Sequence, residues 1–115
     1  MPKQLRFEVV GFPPEVADRW YLARVVDLKR DPTTKGVNGT FEHLHRSQEG
    51  NVRSTVLPMP VRPRGRTGRF FQACGCSTDV GATIVLRDVV GKVIKIRMGQ
   101  TADGGLDVVA FKRSV

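Results

Sequence analysis

Apolar residues along the chain fall in short runs, several alternating with polar ones, and the runs are broken by Gly, Pro and Asn, a texture that predicts strands rather than helices. Leu5 to Val10 reads as an initial extended segment, which Gly11-Phe12-Pro13-Pro14 ends because consecutive prolines fix φ and remove amide donors. Glu15 to Arg19 has room for one helical turn. Tyr21 to Lys29 follows as the first barrel strand, with Leu22, Val25, Val26 and Leu28 suited to burial, and Asp31-Pro32-Thr33-Thr34-Lys35-Gly36 is a polar turn. Gly39 to Arg46 and Val52 to Leu57 are the second and third strands, connected by Ser47-Gln48-Glu49-Gly50-Asn51.

From Pro58 to Arg69 the chain holds three prolines, two glycines and four arginines without an acid, so it predicts an exposed loop and not a strand. Thr67 is placed to cap a short helix across Gly68 to Cys74, with Phe70, Phe71 and Ala73 facing the core and Gly75 as its stop. Lys92 to Met98 alternates, with Ile94, Ile96 and Met98 on one face and Lys95 and Arg97 on the other. A loop at Gln100 to Gly105 leads into the last strand, Leu106 to Lys112, with Val109 and Phe111 on one face. The fold class expected is mainly β: a small five-stranded Greek-key, OB-like barrel with one short helix and an extra N-terminal strand.

Length and charge narrow this picture. At 115 residues the chain fits a single domain over 1–115 and leaves no room for a two-domain enzyme. Nineteen Lys and Arg against eleven Asp and Glu give a net charge of +8, which favours an anionic partner. The second half carries most of the excess, with ten basic and four acidic side chains from residue 61 onward. No apolar stretch is long enough to span a membrane and the first residues lack a secretion signal, so a soluble, cytoplasmic protein is expected. Cys74 and Cys76 are too close in sequence for an unstrained bridge, which fits a reducing compartment.

The order of elements, with the strand Leu22-Ala23-Arg24-Val25-Val26 and its Thr-Lys-Gly turn, the Phe70-Phe71-Gln72-Ala73-Cys74-Gly75 segment, the Leu86-Arg87-Asp88-Val89-Val90-Gly91-Lys92 run and the final hairpin, resembles OB-fold single-stranded-DNA-binding proteins of phages and mobile elements. The resemblance spans about four-fifths of the chain, from Tyr21 to Arg113. It implies a protein that binds single-stranded nucleic acid in the cytoplasm, the host's if phage-encoded. DNA is expected over RNA.

The residues supply a chemistry for that expectation. Arg62, Arg64, Arg66 and Arg69 form a cluster whose guanidinium groups can straddle successive phosphates. Lys29, Arg30 and Lys35 near the first turn, and Arg53, Lys95, Arg97 and Lys112 on later strands, extend the basic track; each alone also reads as an ordinary surface charge. Phe41, His43 and His45 share one face of the second strand and either stack bases or sit as core and exposed polar positions. Trp20 and Tyr21 carry the same two readings. Cys74, Cys76, His43 and His45 have zinc-type donors but not zinc-type spacing, so no metal or other cofactor is expected. The chain has no H-E-x-x-H, P-loop, G-x-S-x-G or G-x-G-x-x-G motif and is expected to be non-enzymatic. The alternative class is a basic protein-interaction module that docks on an acidic protein or pairs its edge strands into a homodimer.

Overall fold

The computed structural model describes residues 11–115. The expected strand at Leu5 to Val10 therefore lies outside the described residues. The elements are β1 (Trp20–Arg30), β2 (Val37–His43), β3 (Val52–Leu57), α1 (Arg66–Ala73), β4 (Val93–Gln100) and β5 (Leu106–Arg113), with short 3-10 turns at Arg46–Gln48 and Leu86–Asp88. The strands form one antiparallel sheet in the order β3-β2-β1-β4-β5. After β3 the chain therefore crosses from one edge of the sheet to the far side of β1, carrying α1 with it.

The inner face follows the two-residue period until a bulge resets it. In β1, Tyr21, Ala23 and Val25 point inward, the register slips between Val25 and Asp27, and burial resumes at Leu28. Leu22 and Val26, expected inside, are half-buried, Leu22 because it alternates with Tyr21 and Ala23 onto the other face and Val26 because it is the extra residue at the slip. A second slip between Arg97 and Met98 opposes them to Ala110 and Val108, leaving Val109 as the extra residue. Val108 and Phe111 thus face the core, while Val109, expected to share the face of Phe111, is 37% exposed. Gly99 accommodates this bulge, because a Cβ there would come within 2.8 Å of the Val109 methyls.

Phe70 and Phe71 of α1 complete the core: Phe70 stacks edge-on against Phe41 at 5.7 Å and Phe111 at 5.1 Å, beside Leu57, Ile94, Ile96 and Met98. The helix starts two residues before the expected one. Gly65 is its N-cap, and Thr67, one residue inside, donates its hydroxyl to the Pro58 carbonyl at 2.7 Å instead of capping. Glu15 to Arg19 forms a turn and no helix, with Asp18 at φ 64° directing the chain into β1. β2 ends at His43, three residues short of the expected Arg46, because His45 leaves the sheet to cap the 3-10 turn with its ring nitrogen.

The expected barrel is not closed. β3 and β5 are the two edges of the sheet and share no backbone ladder. They are joined instead by one side chain: Arg66 donates to the Val108 carbonyl at 2.8 Å and to the Val56 carbonyl. Among the described residues, no helix is long and apolar enough to cross a membrane.

Candidate functional site

The fold separates the basic residues into groups with different tasks. Lys29, Arg30 and Lys35 sit at the β1–β2 turn, at the opposite end of the 11-residue β1 from Trp20, and Lys29 lies 3.5 Å from the Asp27 carboxylate. Arg53 turns its guanidinium to Glu15, whose carboxylate also accepts from His43 Nε2 at 2.8 Å. Glu15 is buried, so its two oxygens need both partners. The triad ties the segment before β1 to the β2–β3 end of the sheet.

Two of the expected stacking rings are consumed by this interior. Phe41 and His43 are both fully buried, Phe41 against Phe70 and Phe111 and His43 edge-on to Tyr21 at 5.1 Å. Neither presents a face to a base. Burial holds the His43 imidazole below its ordinary value of 6.5, and the Glu15 carboxylate only partly offsets that. His45 is half-buried, bonded through Nδ1 to Ser47 and lying 3.4 Å from Arg19. Tyr21 is core too, its hydroxyl accepting from the Val16 amide at 2.8 Å.

Arg66 likewise leaves the anion-binding set. Its guanidinium lies between the carbonyls of the two edge strands, where a closed barrel would have ladder bonds. Arg62 is exposed, but its carbonyl packs on the helix: it accepts from the Gly65 amide at 2.9 Å, and a Cβ on Gly68 would overlap it. The arginine segment is thus seated on α1.

What remains is gathered on the outer face of β1, β4 and β5. Trp20 stands opposite Arg97, which stands opposite Ala110, and in the adjacent row Leu22, Lys95 and Lys112 align. The Lys112 ammonium lies over the Trp20 ring, 4.3 Å from its centroid, and the Arg97 guanidinium 5.7 Å from it. The Arg97 Nε is buried with no hydrogen-bond partner among the described residues. Arg64 and Arg69 reach the same place from the other side, where they, Arg66 and Lys112 flank Trp20 across a cleft of about 500 Å³ with Val109 and Ala110 in its wall. No carboxylate lines it. Among the described residues, the basic side chains within 4.0 Å of a carboxylate are Lys29, His43 and Arg53, so Arg64, Arg69, Lys95, Arg97 and Lys112 have no ion-pair partner there.

Arg66 and Arg69 also occupy the first turn of α1, which holds no acid, and a helix N-terminus already carries partial positive charge. The segment is therefore doubly cationic. Trp20 is the functional candidate that the sequence left undecided. The sequence reading begins the strand one residue later, at Tyr21, whereas Trp20 is the first residue of β1 and the β1–β4 register sets it among cations.

Cys74 is buried and Cys76 half-buried, both as free thiols. Burial pushes Cys74 up to about 12 and raises Cys76 as well, so neither is a ready thiolate. Among the described residues, no group of three or more His, Cys, Asp or Glu could hold a metal ion. No family model and no curated protein matches the chain.

Proposed function

We propose that this protein is a non-enzymatic binder of single-stranded nucleic acid, DNA before RNA, acting through the outer face of β1, β4 and β5 and the Arg64–Arg69 segment. The observation that carries the reading is the convergence of cations from three separate segments around one half-exposed indole, with no carboxylate in the cleft. Such a surface suits a polymer with regularly spaced negative charges and flat apolar faces. Backbone phosphates take the place of missing counter-charges, and bases meet the indole and the aliphatic stems of Lys95 and Lys112.

The indole is the reason for preferring a single strand to a duplex. In a duplex the base faces are stacked on one another and cannot meet it, whereas an unpaired strand offers one face per nucleotide. The preference for DNA rests on the resemblance to OB-type single-stranded-DNA-binding proteins. The track is shorter than the sequence suggests, since Arg53 and Arg66 are engaged internally and Lys29, Arg30 and Lys35 lie at the far end of β1.

Fluorescence anisotropy with single-stranded and duplex DNA and RNA of matched length, repeated over a range of salt, tests the reading. The expected result is tighter binding of single strands, affinity that rises with strand length, and log K falling linearly with log salt by roughly 0.7 per phosphate engaged. Equal affinity for heparin, duplex and single strand at every length would overturn it in favour of a basic module for acidic proteins.

A further inference from the structure

The cleft beside Trp20 has more definition than a general electrostatic strip requires. Its volume, about 500 Å³, falls within the roughly 300–1,000 Å³ of small-ligand sites. One side is the indole, the wall is the Val109–Ala110 edge of β5, and the other side is Arg64 with Arg69. Val109, the extra residue of the bulge, and Ala110 contribute only small apolar side chains to that wall.

Lys112 occupies the indole face. An ammonium on a flexible four-carbon stem is a weakly held cover, and a nucleobase stacks on an indole over a larger area. Displacement would also give the ammonium a better partner, because a phosphate brought in by the same ligand lies within the cleft it borders. We propose that this cleft is a subsite for one nucleotide unit, with its base on the Trp20 face that Lys112 covers and its phosphate held between Arg64, Arg69 and the displaced Lys112 ammonium. The proposal rests on the single-strand reading and adds to it a discrete anchoring position along the strand.

Every charged or polar side chain lining the cleft is a donor: three guanidinium groups, one ammonium and the indole N–H. Acceptor side chains that would distinguish adenine from guanine, or cytosine from thymine, are absent from the lining. Guanidinium and ammonium donors can read guanine O6 and N7, but Arg66 is bonded to the Val56 and Val108 carbonyls and Arg64, Arg69 and Lys112 are assigned to the phosphate, so the subsite selects a flat ring joined to a phosphate rather than one base.

Trp20 is the chain's one tryptophan, so intrinsic fluorescence reports this position alone. The experiment titrates the full chain with thymidine monophosphate and the three other nucleoside monophosphates, thymidine, inorganic phosphate and an oligothymidylate. The expected result is saturable quenching by the monophosphate at least about 10-fold tighter than by thymidine, no quenching by phosphate, and the four nucleoside monophosphates agreeing within about threefold. In the double variant Arg64→Ala, Arg69→Ala, whose substitutions are on exposed side chains, the monophosphate should fall to the level of thymidine. Quenching by the oligomer with no preference for the monophosphate over thymidine overturns the subsite and leaves the single-strand reading standing. An equal response in the double variant, or quenching by phosphate alone, overturns it too. Failure of the oligomer itself to bind in anisotropy overturns both.

Discussion

Lys95 and Lys112 stand directly opposite each other in the β4–β5 ladder, two ammonium groups on one face of neighbouring antiparallel strands. Like charges in that relationship are destabilising, and among the described residues neither has a carboxylate within 4.0 Å. On the proposed single-strand reading, the pair is a place where stability gives way to anion affinity.

Lys95→Glu converts the pair to opposite charges. The expected outcome is a gain of about 0.2–1 kcal/mol in stability by urea denaturation, together with weaker single-strand binding and a salt slope shallower by roughly 0.7 or more. A loss of stability alongside unchanged binding would remove Lys95 from the interface.

Arg66 and Arg69 lie three residues apart on α1 and are expected to behave oppositely. Arg66→Ala removes both bonds that join the edge strands and leaves the Val56 and Val108 carbonyls without that donor, so a cost of about 2–4 kcal/mol is expected. Arg69→Ala, on an exposed position, should change stability by less than about 0.5 kcal/mol while weakening binding. Chemical denaturation of the two variants beside their salt-titrated affinities separates the roles.

Gly68 is where α1 meets the arginine segment. A methyl group there would overlap the Arg62 carbonyl and press on the Pro63 Cα at 3.1 Å, both backbone. Gly68→Ala should therefore destabilise the fold by about 1–3 kcal/mol, although alanine is the better helix former. Helical content by circular dichroism should be retained at low temperature, with the loss appearing as a lower melting temperature.

Acidification should weaken the fold through His43. Its imidazole is held below 6.5 by burial, so the unfolded chain binds a proton there that the native chain refuses. The stability this gives is fully present above pH 6.5 and is lost as pH falls from there towards the folded value. Asp31 and Asp103 are displaced downward from 3.8, Asp31 by hydrogen bonds from Thr33 and Thr34 and Asp103 by those from Thr101 and Gly105. Their contribution is present above 3.8 and lost below it, outside this window. The urea midpoint should fall between about pH 7.5 and pH 5.5 in the wild type, and His43→Gln should flatten that dependence.

Much of the architecture follows from local pattern. The third strand, Val52–Leu57, matches its expected bounds, and β1, β4 and β5 fall within two residues of theirs, because alternation and Gly/Pro punctuation are short-range signals. The inward placing of Phe70 and Phe71 on the short helix was legible from the same local pattern. The bulges were not: one residue added at Val26 or Val109 reverses which side chains face inward, and its cause is the partner strand.

The amino-acid sequence by itself determined a small β-rich chain with a surplus of positive charge concentrated after residue 61. Tertiary structure alone decided which cations are free. A guanidinium on a loop looks the same in sequence whether it meets water, as Arg69 does, or two backbone carbonyls from distant strands, as Arg66 does. Strand pairing likewise placed Trp20 among cations from β4, β5 and the loop, and enclosed Phe41 and His43. The physical reason is that charge and apolarity are properties of single residues, while partnership and burial belong to pairs far apart in the chain.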